Sequence, residues 1–282
     1  MKRFLRIFVN LMVVVMLLST CLTFTGCKED IVKVELTISV YDYENEEFYD
    51  QEDTKLIVQF YRHLAPETVD TILSYVKDGY YDNTIFYSTG LSTDKILIGD
   101  LKMNANGKIV QNEIMPEIDG EFEYGTTKGS NLTVSNGNVA LWRTWYSGDD
   151  YKTNAGFHTG RATWFMPTKT LSSYQGYFCV FAVMDLTNST NQTTWDYIKE
   201  AVINSANTEK YQVYYTGEYQ YNDYNDANNG LTFHCEKEIP SSHTVFVPED
   251  DQLECYKQIA INVAKGGDGE YCGAKIVSAR IL

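Results

Sequence analysis

The chain has 282 residues, with 38 acids against 23 Lys and Arg, only four His, and a net charge of −15. Such an acidic surface excludes a nucleic-acid partner, which requires basic patches, and it repels anionic lipid headgroups. The His are scattered and no Cys-x-x-Cys occurs, so neither a metal nor a cofactor is expected.

Lys2, Arg3 and Arg6 precede an apolar run, Leu11 to Leu18, and then small and polar residues. That is the pattern of an export signal, and the run is too short for a comfortable membrane span of about 20 residues. "FTGC" at Phe24 to Cys27 resembles a bacterial lipobox, although Phe24 stands where Leu is usual. The expectation is a signal peptide over residues 1–26, lipidation of Cys27 and a short tether over residues 27–33. The protein would then be exported and held on the outer face of a bacterial membrane through the lipid on Cys27 only. Each buried acyl CH₂ adds about 0.8 kcal/mol, and stable anchoring takes more than one chain. Loss of the leader, with its three cations and no acids, takes the charge from −15 to −18.

"VELTISV" (Val34–Val40) alternates apolar and polar residues and predicts a half-buried strand; "KLIVQFY" (Lys55–Tyr61) predicts a second. The acidic stretch between them reads as a solvated hairpin tip. "APETVDTILSYVKDGYY" predicts a helix: Pro66 suits its first position, Val69, Ile72, Leu73 and Val76 share a face, and Gly79 ends it. From Thr84 to Met184, "TIFYS", "KILIGD", "GNVALWR", "RATWFMP" and "YFCVFAV" are short strand-like runs separated by turn residues, as in a sandwich or barrel.

"TTWDYIKEAVINSAN" (Thr193–Asn207) predicts a second helix capped by Thr194, with Trp195, Ile198 and Val202 on its apolar stripe. Tyr211 to Gly230, rich in Tyr, Asn and Asp, reads as a hairpin around Thr216-Gly217 or as an inserted segment; its Tyr stripe suits either strand formation or stacking on a sugar or peptide. "PEDDQLECYKQIAINVAKGG" has acids first and Lys265-Gly266 last, and predicts a third helix. "AKIVSARIL" closes the chain as a strand. Beyond Cys27 stand Cys179, Cys235, Cys255 and Cys272. Four cysteines allow three connectivities, and the sequence does not choose among them. Cys179, inside "YFCVFAV", reads as a buried free thiol.

Two strands, a helix, an aromatic strand and a Gly-Asp turn, in that order, resemble the cyclophilin-type peptidyl-prolyl isomerases. The likeness is densest in "LIVQFYRHLAPETVDTILSYVKDGYYDNTIF" and in "IGD" at Ile98–Asp100. "NEI" (Asn112–Ile114), "GNVALWR", "ATWFMP", "YQGYFCVFAVM" and "AKIVSARIL" follow in the family's order. The resemblance implies a mainly β fold with flanking helices: a closed eight-stranded antiparallel barrel over residues 34–282, capped by two helices. An insertion at about residues 206–270 would carry the extra helix.

The same resemblance implies a peptide groove on the outside of the barrel, lined by Phe86, Tyr87, Ser88, Thr163, Phe165, Tyr174 and Phe178. Its partners would be proline-containing peptide segments or exported proteins. The family's catalytic Arg position is Ser88 here, its pocket Met falls near Lys95 and its Gln near Leu97. Arg161, just before "ATWF", is the best-placed substitute cation, and a surface Arg is the plainer reading of it. The implied function is peptidyl-prolyl cis–trans isomerisation outside the cytoplasm, weakened at Ser88. The alternative is a catalytically degenerate module that binds a peptide or an envelope component.

Overall fold

Alternation of apolar and polar residues makes Ile31–Asp42 (β1) a strand with one wholly buried face: Val34, Leu36, Ile38 and Val40 are inaccessible. The computed structural model describes residues 30–42, 44–50, 53–89, 93–105, 109–125, 127–143, 160–203, 208–216, 231–235, 255–264 and 273–282. The leader, Cys27 and Cys272 lie outside these residues.

After β1 come β2 (Glu47–Phe48), β3 (Lys55–Tyr61), helix α1 (Pro66–Lys77), β4 (Ser88–Thr89), β5 (Lys95–Ile98), β6 (Leu101–Met103) and β7 (Ile109–Gln111). Then follow β8 (Glu121–Phe122), β9 (Thr127–Ser130), β10 (Asn138–Leu141), β11 (Trp164–Pro167), β12 (Val180–Met184) and helix α2 (Ser189–Ile203). The last strands are β13 (Thr208–Thr216), β14 (Leu231–Cys235), β15 (Cys255–Ala264) and β16 (Ala274–Ile281).

Seven strands pair antiparallel in the order β16-β1-β3-β12-β10-β11-β5. The segment Asn83–Tyr87 joins the two ends. Tyr87 N–H donates to Leu97 O at 3.0 Å, and Leu97 N–H donates to Tyr87 O at 2.7 Å. On its other edge Phe86 N–H donates to Ala274 O at 2.9 Å, and Ile276 N–H donates to Thr84 O at 2.9 Å. The barrel implied by the resemblance is therefore closed, with this segment as its eighth stave. The segment thus covers part of both end strands of the curled sheet.

Helix α1 matches its expected bounds, with Pro66 at the start and Gly79 at φ +72° just past the end. Ala65 at its N-cap offers no side-chain oxygen. Glu121 takes over that task from β8, accepting from Glu67 N–H at 3.1 Å and Thr68 N–H at 2.7 Å. A carboxylate at a helix N-terminus satisfies orphan donors and meets the positive end of the dipole.

Helix α2 starts four residues earlier than expected. Its start is held by Asn188, whose Oδ1 accepts from Asn191 N–H at 3.1 Å. Thr194 is not its cap: it is buried inside the helix, and its hydroxyl donates to Lys55 O at 3.1 Å. The stripe of Trp195, Ile198 and Val202 is buried as expected. Asn191 Oδ1 accepts from Ile57 N–H at 2.9 Å and its Nδ2 donates to Ile57 O at 3.1 Å, supplying partners beyond the end of the β3–β12 ladder.

The stretch expected to be an insertion, at about residues 206–270, departs further from expectation. The third helix is absent from its described half, where Cys255–Ala264 forms β15 instead. Ile259, Ile261 and Val263 alternate with Ala260 and Asn262, a strand period that the acidic start and Lys-Gly end disguised. Strand β15 pairs with β13 along its length and with β14 over Leu231–Cys235. Strands β13 and β14 thus flank β15, and the hairpin expected around Thr216-Gly217 falls on residues 217–230, outside the described residues. The edge of β15 that carries β14 also carries β4, with Ile261 opposite Thr89 and Asn262 opposite Ser88.

Candidate functional site

The barrel strands sort their side chains by alternation. Ile96 and Ile98 of β5, Val139 and Leu141 of β10, Trp164 and Met166 of β11 and Phe181 of β12 belong to the main interior core. Their neighbours Leu97, Ala140, Phe165 and Val180 belong to a second apolar cluster. A side-chain period of two puts that second cluster on the outer wall. Ile85, Tyr87, Leu101, Val134, Leu171 and Phe178 complete its buried part, and Trp142 and Tyr174 belong to its half-buried margin.

Aromatic rings dominate this wall. Tyr174 stacks on Phe178 with ring centroids 4.6 Å apart. Phe165 meets Phe178 edge-on at 5.3 Å, and Trp142 meets Phe165 edge-on at 5.6 Å. Such pairs add about 0.5–1.5 kcal/mol each beyond area burial.

Two cations are set among the rings. Lys95 Nζ lies 5.2 Å from the Trp142 ring centroid and 5.8 Å from that of Tyr174. The Arg143 guanidinium carbon lies 4.8 Å from the Phe178 centroid and 5.2 Å from that of Phe122, and Arg143 Nε donates to Tyr177 O at 2.9 Å. Burial pulls the Arg143 guanidinium down to about 10, so it stays cationic at neutral pH. Both side chains are nearly inaccessible, Lys95 at 4% and Arg143 at 3%.

The turn at Gly99 fixes the lower end of the wall. Gly99 has φ +118°, and a Cβ there would lie 2.5 Å from Ala162 O, so the turn requires Gly. Asn112 pins it, donating to Gly99 O at 3.0 Å and to Tyr80 O at 3.1 Å. Asp100 then holds the Tyr87 hydroxyl, accepting at 2.7 and 2.8 Å.

Of the seven groove residues expected from sequence, Tyr87, Phe165, Tyr174 and Phe178 come together in the outer cluster. Phe86 does not: it lies in the interior core, one residue out of phase with Tyr87. Thr163 is half-buried beside the wall, its carbonyl accepting from Trp142 N–H at 2.8 Å. Ser88 is wholly inaccessible and pairs with Asn262 of the insertion. Arg161 is committed elsewhere: it donates to Met115 O at 2.8 Å and to Glu117 Oε1 at 2.9 Å.

Trp142 and Lys95 are the site residues that sequence reasoning did not assemble. A signal existed in the alternation that puts Lys95 in phase with Leu97 and Trp142 in phase with Ala140, but their meeting depends on β11 lying between β5 and β10. An open cleft of about 540 Å³ lies elsewhere, lined among others by Gln59, Tyr61, Asn138, Asp185 and Thr187, and holds none of these residues.

No family model matches the chain, and no curated protein matches it. Among solved structures it is similar to two crystal structures of a cyclophilin type peptidyl-prolyl cis-trans isomerase of Cryptosporidium parvum, one of them in the presence of the dipeptide Ala-Pro. Identity is 14% in both comparisons, with 83–84% of this chain and 99% of the other covered, at a TM-score of 0.36.

Proposed function

We propose that this chain is a cyclophilin-type protein that takes proline-containing peptide segments on its outer wall and catalyses peptidyl-prolyl cis–trans isomerisation only weakly. The observation that carries this reading is the aromatic wall of Trp142, Phe165, Tyr174 and Phe178, with the Lys95 ammonium set between Trp142 and Tyr174.

An Xaa-Pro bond interconverts against a barrier of about 18–20 kcal/mol that comes from amide resonance. No nucleophile or metal is required. A protein speeds the step by gripping the proline ring on an apolar surface and placing a donor where the twisted amide gains charge. Trp142 and Tyr174, at the half-buried margin, offer the surface, backed by the inaccessible rings of Phe165 and Phe178. Lys95 Nζ lies 5.2 Å from the Trp142 ring and 5.8 Å from the Tyr174 ring at that margin, and it acts as a point charge without the planar fork of an Arg. Removing a positioned charged donor typically costs about 10²–10³ in rate, the scale of the weakness proposed here.

Binding without catalysis is the second reading, favoured by one observation: β15 pairs with β4 across Ser88, at the position that corresponds to the family's Arg. Exchange NMR on Xaa-Pro peptides separates the two. Accelerated exchange supports the first reading; peptide-induced shifts on the wall without acceleration support the second; neither shifts nor acceleration overturns both.

The leader and Cys27 support a further part of the proposal: the protein works outside the cytoplasm, lipid-anchored to the outer face of a bacterial membrane, where its clients are exported proteins. Metabolic labelling with a radioactive fatty acid tests this. Label lost in a Cys27→Ser variant supports the anchor; an unlabelled unmodified chain contradicts it.

A further inference from the structure

The register of the inserted sheet selects among connectivities that the sequence leaves open. Cys235 and Cys255 are directly opposed at the end of the β14–β15 ladder. Directly opposed residues of an antiparallel pair share a sheet face, with Cα atoms about 4.5 or 5.5 Å apart according to which kind of pair they form. Both spacings fall inside the Cα window of about 4.4–6.8 Å that a disulfide requires. Cys179 is removed from the choice because it lies in the interior core at 2% exposure, with its thiol against Thr68 Oγ1 at 3.6 Å. Burial raises that thiol to about 12, which suppresses the thiolate that exchange needs.

We propose that Cys235 and Cys255 form a cross-strand disulfide that staples β14 to β15 and so fixes the strand that lies along Ser88 and Thr89. The reaction is thiol–disulfide exchange with a protein or small-molecule disulfide as oxidant. One cysteine thiolate attacks a sulfur of the oxidant, giving a mixed disulfide and releasing the first thiol. The second cysteine thiolate then attacks the protein sulfur of the mixed disulfide and releases the second thiol. The pair gives up two electrons and two protons, and the oxidant disulfide becomes two thiols. The bond closes a loop of some twenty residues, a length at which a cross-link restricts the unfolded chain appreciably.

The test is peptide mapping by mass spectrometry on the full chain, purified in detergent and equilibrated with oxidised glutathione. Free thiols are alkylated before digestion without reductant. The expected result is one cross-linked peptide pair holding Cys235 and Cys255, lighter by two hydrogens than its parts, with Cys179 alkylated only after denaturation. Cys235→Ser and Cys255→Ser each abolish that pair, and Cys272→Ser leaves it at full yield. The proposal is overturned if Cys235 and Cys255 are both recovered alkylated after oxidation, or if either is found joined to Cys272.

Discussion

Asn262 of the inserted sheet stands in antiparallel register opposite Ser88, the residue at the position where the cyclophilin resemblance expects its catalytic Arg. Ser88 is left with no accessible surface. A Ser88→Arg substitution therefore places a charge in a filled, strand-paired site. It is expected to destabilise the fold by on the order of 3 kcal/mol and to leave isomerisation no faster. Urea denaturation and peptide exchange on the same variant check both halves. A tenfold gain in exchange at unchanged stability would show the position to be open.

The aromatic wall leads to a separable pair of effects. Trp142→Ala removes both the half-buried ring of the margin and the partner of Lys95, and is expected to weaken proline-peptide binding about 2- to 30-fold, or about 0.5–2 kcal/mol. Lys95→Met keeps an apolar stem, and is expected to hold binding within about threefold while abolishing residual acceleration. Titration followed by NMR, with exchange measured in the same samples, reads the two quantities independently. Equal losses of binding in both variants would contradict the division of roles.

Glu121 caps helix α1 from 53 positions along the chain, bonding to Glu67 and Thr68 N–H. Glu121→Ala should cost about 1–2 kcal/mol, seen as a fall in Tm of about 2–4 °C for each kcal/mol. Glu121→Gln keeps an acceptor oxygen and should lose less. Thermal unfolding of both variants makes the comparison, and an unchanged Tm for Glu121→Ala would remove this cap from the account.

Burial raises the Cys179 thiol to about 12 and the Tyr81 phenol well above its ordinary value of 10.0. In the unfolded chain these groups release protons near 9.0 and 10.0. Between those values and the folded ones the native state holds more protons than the unfolded state. The stability they contribute is therefore full below pH 9.0 and falls as pH rises toward the folded values, by up to about 1.4 kcal/mol per pH unit for each group. Urea midpoints should decline from pH 9 upward, and Cys179→Ala should delay the onset toward pH 10. A midpoint that is flat through this window would contradict the burial argument.

What was legible in the sequence was local. Pro66, the stripe Val69-Ile72-Leu73-Val76 and Gly79 define α1 within a single stretch, and β3 coincides with "KLIVQFY". The succession of strands could be read because each run is short, apolar and bounded by turn residues; that they close into a barrel was implied by the resemblance to cyclophilins. The failures share a cause in distant partners. Strand β15 is a strand because β13 and β14 flank it, whatever its helix-like ends suggest. Thr194 lost its capping role because Asn188 could start the helix earlier and still dock Asn191 on β3. Phe86 was assigned to the groove and lies inside because a shift of one residue reverses the face of a strand. The meeting of Lys95 with Trp142 requires β5, β11 and β10 to lie side by side, which no local pattern encodes.

The most direct test of the central claim is two-dimensional exchange NMR of an Ala-Pro-containing peptide with the soluble Lys28–Leu282 chain. The account predicts peptide-induced shifts centred on the Trp142 indole and the Tyr174 ring, with cis–trans exchange only weakly accelerated and the effect absent for the matching Ala-Ala peptide. No shift on these rings, or equal shifts with both peptides, would contradict it.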